Sequence, residues 1–211
     1  EGDASRQLAE RFDFRYVEHP NHPLGAKWNA GMNALRDKNV DAVVTVGSDD
    51  LVDERMFYLY AAQLERGVKF MGAQDIHLVE LPSRRMVQWF GYRGSTGPET
   101  IGPGRCIAAE WLERLDWQLW DDEQEDLLDG SAHRRLEPLF EEQDAEWVTY
   151  SGDTNCLTVV SVKTGSELWS FEACLRDGEH VEIDSETFLR AHFPAQVVNQ
   201  LMVFDPGLPV D

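Results

Sequence analysis

The chain has 211 residues, of which 42% are hydrophobic and 27% are charged, so it can bury a sizeable core and is not a disordered chain. Its 39 acidic and 19 basic residues give a formal net charge of -20, which argues against direct nucleic-acid binding and against binding to anionic membranes. No apolar run approaches the roughly 20 residues that a membrane-spanning helix needs. The three cysteines are widely spaced, which argues against a disulfide framework and a zinc site and favours a reducing, cytoplasmic compartment.

Hydrophobic periodicity and turn residues divide the chain into helices and strands. In chain order the sequence predicts a helix at 4–12, a strand at 14–18, a helix at 26–38, a strand at 41–47, a helix at 53–66, strands at 68–74, 76–81 and 85–92, a helix at 105–115, a helical stretch ending near 142, strands at 146–150 and 156–163, and a helix at 185–193. This alternation is typical of an α/β fold. The β-branched run at 41–47 favours a buried parallel strand.

A shift in composition near residue 145 suggests a division of the chain. We expect a core over residues 1–145, built on a mostly parallel sheet flanked by helices. We expect residues 146–211 to form a small α+β extension packed on that core.

Asp49 and Asp50 follow the predicted strand at 41–47, and ligands in α/β sheets bind beyond the carboxyl ends of strands. Two adjacent carboxylates repel each other unless a cation lies between them. A hard divalent ion with oxygen ligands would relieve that repulsion. Alternatively, Asp50 or Asp53 caps the predicted helix at 53–66, and taken alone the pair more often has that role.

The order of several residues around this pair resembles a known family. They are an Asn, a Gly-containing turn, a basic residue and a second Asn before the acidic pair, namely Asn21, Gly25, Lys27, Asn29, and Asp49 with Asp50. The arrangement is similar to the nucleotide-sugar-dependent glycosyltransferases of the GT-A fold, and most like family 2. The resemblance covers roughly residues 1–140. It implies a metal-dependent hexosyltransferase that moves a sugar from a nucleotide-diphosphate sugar to a hydroxyl acceptor, with inversion. A UDP-sugar is the favoured donor. The acceptor is a saccharide, a lipid-linked group or a protein.

The resemblance also implies roles for these residues. Asp50, together with Asp49, would coordinate Mn²⁺ or Mg²⁺ on the diphosphate, and Asp49 would alternatively contact the donor sugar. Lys27 would lie near the donor phosphate, with Asn21 and Asn29 as further substrate-binding residues. The alternative interpretations without a functional role are a solvated lysine for Lys27 and a helix or turn hydrogen bond for Asn29.

A second set of residues extends the resemblance. Arg105 ends a Gly-Pro-Gly-Arg loop before a predicted helix and is a candidate substrate-binding residue. The acidic run at 121–129 would supply the base that takes the acceptor's proton. Asp126 and Asp129 are both candidates, and Asp129 ranks slightly ahead because its apolar neighbours Leu127 and Leu128 would desolvate it. His133, four residues after Asp129, would be a third metal ligand. For any single residue here, a solvated surface position is the competing interpretation.

One expected part of the family's pattern is absent from this sequence. Family members begin with a buried strand that holds the nucleotide base, whereas this chain opens with EGDASRQLAERF. We therefore expect the chain to be a fragment whose first strand comes from a second chain or from sequence preceding its start. Two other functions are open: a nucleotidyltransferase of related fold, which would release pyrophosphate, and a non-catalytic transferase-like assembly or virion module, which would bind no nucleotide with metal.

Overall fold

The computed structural model describes residues 2–91, 99–142, 144–151, 157–165 and 170–203, which form eight helices and nine strands. The helices are α1 (Gly2–Arg11), α2 (Leu24–Asn33), α3 (Arg55–Glu65), α4 (Ala109–Arg114), α5 (Leu128–Phe140), α6 (Phe171–Asp177), α7 (Ser185–His192) and α8 (Ala195–Met202). The strands are β1 (Ala42–Val44), β2 (Asp50–Val52), β3 (Phe70–Ala73), β4 (Ile76–Glu80), β5 (Arg85–Trp89), β6 (Cys106–Ala108), β7 (Trp147–Tyr150), β8 (Val159–Lys163) and β9 (His180–Ile183).

The chain divides into two compact units, each formed from two separate stretches of sequence. Unit 1 comprises Glu1–Asp41 and Ala109–Glu142, and its described residues contain α1, α2, α4 and α5. Unit 2 comprises Ala42–Ala108 and Gln143–Asp211 and contains the nine described strands and the other four helices. The predicted division of the chain near residue 145 stays a prediction.

The strands of unit 2 form two mixed sheets. Sheet A has the order β1-β6-β3-β7 and sheet B has the order β2-β8-β4-β5-β9. Five of the seven strand pairings are antiparallel, and only β3 with β7 and β4 with β8 are parallel among the described strands. The prediction of a mostly parallel sheet of the GT-A type is therefore wrong.

The error has a physical cause in the strand at 41–47. Its β-branched residues indicate that the strand is buried, but they do not indicate whether the neighbouring strand is parallel or antiparallel. The part that forms a strand, β1, is short and half-buried, and it pairs antiparallel with β6. The connection between β4 and β5 is also too short for the crossover that parallel neighbours require, so these two strands form a hairpin.

Most predicted elements form, with two differences. Residues 14–18 contain no strand, and Phe14 is 69% exposed, since the segment pairs with no described strand. The predicted helix at 105–115 begins as strand β6 and becomes helical only at Ala109. The acidic run at 121–129 leads into α5, which begins at Leu128 and ends at Phe140, close to the predicted end near 142.

The core of unit 2 forms on both sheets. All four residues of β3 are buried, and all five of β8 are buried in the interior of sheet B between β2 and β4. Fully burying one large apolar side chain contributes about 1.5 to 3 kcal/mol, so Phe70 and Met71 of β3 and the three valines of β8 stabilise the two sheets. Residues from the last third of the chain, through β8, thus hold the Asp50 strand β2 in place.

Candidate functional site

The acidic pair lies in the tight connection between β1 and β2 in unit 2. The Asp50 backbone N–H donates to the Gly47 carbonyl oxygen at 3.2 Å, and the Gly47 N–H donates to Asp50 Oδ2 at 2.6 Å. The Asp50 carboxyl therefore folds back onto its own turn. Asp50 is already the first residue of β2, so the pair joins two strands instead of leading directly into a helix.

Asp49 is held by two residues of β8. Lys163 Nζ donates to Asp49 Oδ2 at 3.1 Å, and Ser161 Oγ donates to the same oxygen at 3.2 Å. The Lys163 side chain is only 6% exposed, whereas that of Asp49 is 38% exposed. A buried ammonium requires an anionic partner, so this ion pair holds the turn against the interior strand β8 of sheet B.

Asp50 differs from its neighbour because its hydrogen bonds and the charge of Lys163 compensate only in part for its burial. Desolvation, followed by the negative charge of Asp49, raises the pKa of Asp50 to about 6. Its Oδ1 atom is buried and accepts no hydrogen bond from any described residue. A buried oxygen without a hydrogen bond is stabilised when it gains a proton or binds a cation.

These carboxyls fit a hard divalent ion in part. Asp50 Oδ1 lacks a partner, and carboxylate oxygens are the ligands that Mg²⁺ and Mn²⁺ prefer. However, the described part of the chain contains no group of three or more His, Cys, Asp or Glu side chains placed to hold a metal. An ion at Asp50 would therefore take its remaining ligands from water and substrate, as Mg²⁺ commonly does.

A second polar cluster lies elsewhere in unit 2, on the segments that begin α3 and end α7. Arg55 makes paired hydrogen bonds to the Asp53 carboxylate, which is 2% exposed, and these bonds hold the pKa of Asp53 below its usual range. Arg55 Nη2 and Thr158 Oγ1 both lie 3.1 Å from His192 Nδ1. The same ring nitrogen lies 3.5 Å from Asp53 Oδ2, so Arg55 and His192 both face the Asp53 carboxylate.

The same segments border a cavity of about 520 Å³. Its walls combine the polar cluster with apolar side chains of β2 and α8, including Leu51, Val52 and Val197. Asp53 also accepts the Arg55 backbone N–H at 2.9 Å, next to the N-cap position of α3, which is Glu54.

In unit 1, the predicted substrate-binding residues make contacts with their own unit. Lys27 Nζ donates to Asn21 Oδ1 at 2.8 Å across the start of α2. Gly25 lies so close to Asp121 that a Cβ atom at this position would collide with the Asp121 carbonyl oxygen. Close packing against Asp121 thus explains why this position in the predicted turn is a glycine.

Asn29 is buried and fully hydrogen-bonded. Its Nδ2 donates to the Trp120 carbonyl oxygen and to Asp122 Oδ1, both at 2.8 Å. Its Oδ1 accepts the backbone N–H groups of Leu119 at 3.0 Å and Trp120 at 3.1 Å. These four bonds use the whole capacity of the amide, so Asn29 fixes the segment 119–122 on α2. The alternative that Asn29 makes a structural hydrogen bond therefore has direct support, and its contact with substrate stays a prediction.

The candidate bases lie at the start of α5. Asp129 is in the first turn of that helix and is half-buried, while Asp126 precedes the helix and is exposed. Leu127 is 75% exposed and so provides little of the apolar shelter that we expected beside Asp129. The His133 ring stacks on Phe140 with 5.9 Å between ring centroids. Their catalytic and metal-binding roles stay predictions.

Arg105 belongs to unit 2 and is 2% exposed. Its Nε donates to Thr100 Oγ1 at 3.1 Å and its Nη2 donates to the Thr100 carbonyl oxygen at 2.7 Å. Its own carbonyl oxygen accepts the Thr45 N–H at 2.9 Å, upstream of the acidic pair. Arg105 therefore shapes the chain that enters the turn, and its predicted contact with substrate is untested.

The predicted site residues are thus shared between the two units. Unit 2 holds Asp49, Asp50 and Arg105, and unit 1 holds Asn21, Lys27, Asn29, Asp126, Asp129 and His133. Sequence reasoning missed Ser161 and Lys163, which contact Asp49 from more than 110 residues away in the chain. The available signal was a lysine at the end of an apolar strand, in a chain with few lysines.

Comparison with known proteins adds no family. No protein-family model matches the chain, and no curated protein matches it in sequence. Among the described residues, none of the helices has the length and apolar character that crossing a membrane requires.

Proposed function

We propose that this chain is a metal-dependent glycosyltransferase that moves a sugar from a nucleotide-diphosphate sugar to a hydroxyl acceptor. The observation that supports the proposal is the carboxyl pair: Asp50 has a buried oxygen without a partner, next to Asp49 in a turn between two strands. The order of Asn21, Lys27 and Asn29 before this pair is the sequence support. The proposal rests on these residues and not on a parallel-sheet fold.

The residues have distinct parts in this proposal. Asp50, with Asp49 beside it, would hold Mn²⁺ or Mg²⁺, and the ion would neutralise charge on the diphosphate leaving group. Lys163 and Ser161 hold the Asp49 carboxylate in one position, which keeps the turn ordered before a donor binds. Asp129, or alternatively Asp126, would accept the proton of the acceptor hydroxyl.

A calorimetric titration tests the proposal. We expect the full chain to bind one nucleoside diphosphate or its sugar, with UDP first in the panel, in the presence of Mn²⁺ and at least tenfold more weakly without it. Asp50→Asn should abolish the metal-dependent part, because an amide is a far poorer ligand for a hard cation than a carboxylate. Asp37→Asn, which changes an exposed aspartate of unit 1, is the matched control and should bind normally.

The outcome also separates the proposal from its rivals. Metal-dependent binding of a nucleoside triphosphate, followed by pyrophosphate release, would instead indicate a nucleotidyltransferase. Equal heats for wild type and Asp50→Asn, with both proteins folded by their thermal unfolding curves, would contradict the metal site.

A second candidate is a non-catalytic transferase-like module of an assembly. The observation that favours it is the Lys163 ion pair, which already neutralises Asp49 within the protein. This module would bind none of the nucleotides with Mn²⁺, and Asp50→Asn would change only stability.

A further inference from the structure

Strand β1 is the terminal strand of sheet A. It pairs antiparallel with β6, and no described strand lies on its other side. β1 runs directly toward the turn that holds Asp49 and Asp50. Any strand that joined this edge would therefore lie alongside the polypeptide that positions the acidic pair.

The backbone of β1 has hydrogen-bonding groups available on that open side. The Asp41 carbonyl oxygen and the Thr45 N–H each make a 2.9 Å hydrogen bond on the β6 side. Backbone groups in an antiparallel pair alternate in direction, so Val43 bonds to β6 as well, and Ala42 and Val44 direct their N–H and C=O groups to the open edge. No hydrogen bond joins these edge groups to another described residue.

The side chains of β1 do not protect this edge. Ala42 and Val44 are half-buried and pack against the main core of unit 2. The sequence from Ala42 to Val46 contains neither the charged residues nor the proline that usually block an exposed strand edge. The terminal strand β9 of sheet B differs, because its outward residues His180 and Glu182 are polar and exposed.

We propose that an extended segment of another polypeptide joins sheet A at β1 and becomes its fifth strand. Backbone donors and acceptors spaced along an open edge recognise an extended chain. The half-buried valines require apolar residues in that segment. The net charge of -20 and the exposed Asp41 at the start of β1 favour basic residues on its flanks. The link between this strand and a sugar-transfer site rests on the proposed function; the edge pairing does not.

Residue-resolved amide hydrogen exchange on the full chain tests the pairing. The probe is the peptide Lys-Lys-Val-Thr-Val-Val-Val-Lys-Lys, and the comparison peptide has Glu at all four flanking positions. We expect the basic peptide to slow exchange at the Ala42 and Val44 amides at least tenfold, while the Val43 amide, already bonded to β6, changes little. The acidic peptide should bind more weakly by about tenfold at low salt.

Proline substitutions then locate the contact. Val44→Pro removes one outward N–H and should weaken peptide binding by about tenfold, the effect of one lost backbone hydrogen bond with steric interference. Val44→Thr keeps the N–H and should retain binding even if the proline variant folds poorly. His180→Pro, at an outward position of the edge strand β9, is the matched control and should bind like wild type.

The outcomes separate this proposal from its rivals. Unchanged exchange at Ala42 and Val44 with millimolar peptide, or equal binding to Val44→Pro, would overturn it. A dimer that Val44→Pro converts to a monomer, without peptide binding, would show that a second copy of the chain occupies the edge. Asp50→Asn should bind the peptide normally, so loss of nucleotide binding with retained peptide binding contradicts the transferase and leaves the edge pairing intact.

Discussion

Two polar clusters of unit 2 each contain a buried carboxyl, and they shift its pKa in opposite directions. The carboxylate cluster consists of Asp49, Asp50, Ser161 and Lys163, and the arginine cluster consists of Asp53, Arg55, Thr158 and His192. In the carboxylate cluster the pKa of Asp50 rises to about 6, because burial and the charge of Asp49 outweigh its hydrogen bonds. In the arginine cluster the Arg55 guanidinium lowers the pKa of Asp53, although that carboxylate is 2% exposed.

The difference shows that burial alone does not decide the protonation of a carboxyl. Asp53 receives two donors from one rigid guanidinium, so its charged form is stabilised in place. Lys163 in the other cluster donates to Asp49, and Asp50 Oδ1 is without a partner among the described residues. The arginine cluster is therefore internally satisfied, whereas the carboxylate cluster has an unmet demand for a proton or a cation.

The largest expected effect comes from removing Asp49. Asp49→Ala leaves the Lys163 ammonium, 6% exposed, without its carboxylate, and should destabilise the protein by about 4 kcal/mol. Replacing the ammonium as well, in Asp49→Ala with Lys163→Met, should recover most of that loss because no buried charge is left. Urea unfolding of the two single variants and the double variant measures this. Additive losses would show that the ion pair does not stabilise the turn.

The second expected effect is that the stability of the metal-free protein depends on pH through Asp50. A folded-state pKa of about 6, above the ordinary value of 3.8, means that the folded protein binds this proton more tightly than the unfolded chain. The stabilisation is complete below pH 3.8, decreases through about pH 6, and is absent at pH 7. The two pKa values differ by an amount worth about 3 kcal/mol.

Comparison of wild type with Asp50→Asn isolates that contribution. The free energy of unfolding of wild type, minus that of the variant, should fall by about 3 kcal/mol between pH 3 and pH 7. Urea unfolding in the presence of a chelator at each pH measures the difference. A constant difference across this range would mean that Asp50 is charged throughout and that its orphaned oxygen has a partner.

Local patterns predicted most of the elements of the fold. Helical spacing ending at Gly67 predicted α3, and alternation predicted β4 and β5 to within a few residues. The same rules could not predict the sheets, because a β-branched strand such as β1 specifies burial and not the direction of its neighbour. Strand β8 comes from residues 159–163 and separates β2 from β4, a pairing that no local pattern encodes.

The candidate site was predictable to a similar degree. Adjacent carboxylates repel each other, and this reasoning singled out the Asp49–Asp50 turn, where desolvation and the charge of Asp49 raise the pKa of Asp50. The compensation found for Asp49 is Lys163, which lies 114 residues away in sequence and reaches Asp49 only through the β2–β8 pairing. Whether Asp50 also binds a metal stays a prediction. Asn29 was predicted as a polar contact, but only the packing of unit 1 reveals its four hydrogen bonds.

The smallest expected effect on stability comes from a substitution in the arginine cluster. Asp53→Asn keeps the side-chain shape and leaves Arg55, whose side chain is 47% exposed, able to interact with water, so we expect a loss of only about 2 kcal/mol at pH 7. Because the folded-state pKa of Asp53 is lowered, its contribution is present above pH 3.8 and disappears as the pH falls through that lowered value. The difference between wild type and Asp53→Asn should therefore shrink on acidification, opposite to the behaviour of Asp50. If Asp50→Asn and Asp53→Asn instead gave pH profiles of the same sign, the buried carboxyl would be governed by desolvation in both clusters, and the Arg55 hydrogen bonds would not be what keeps Asp53 charged.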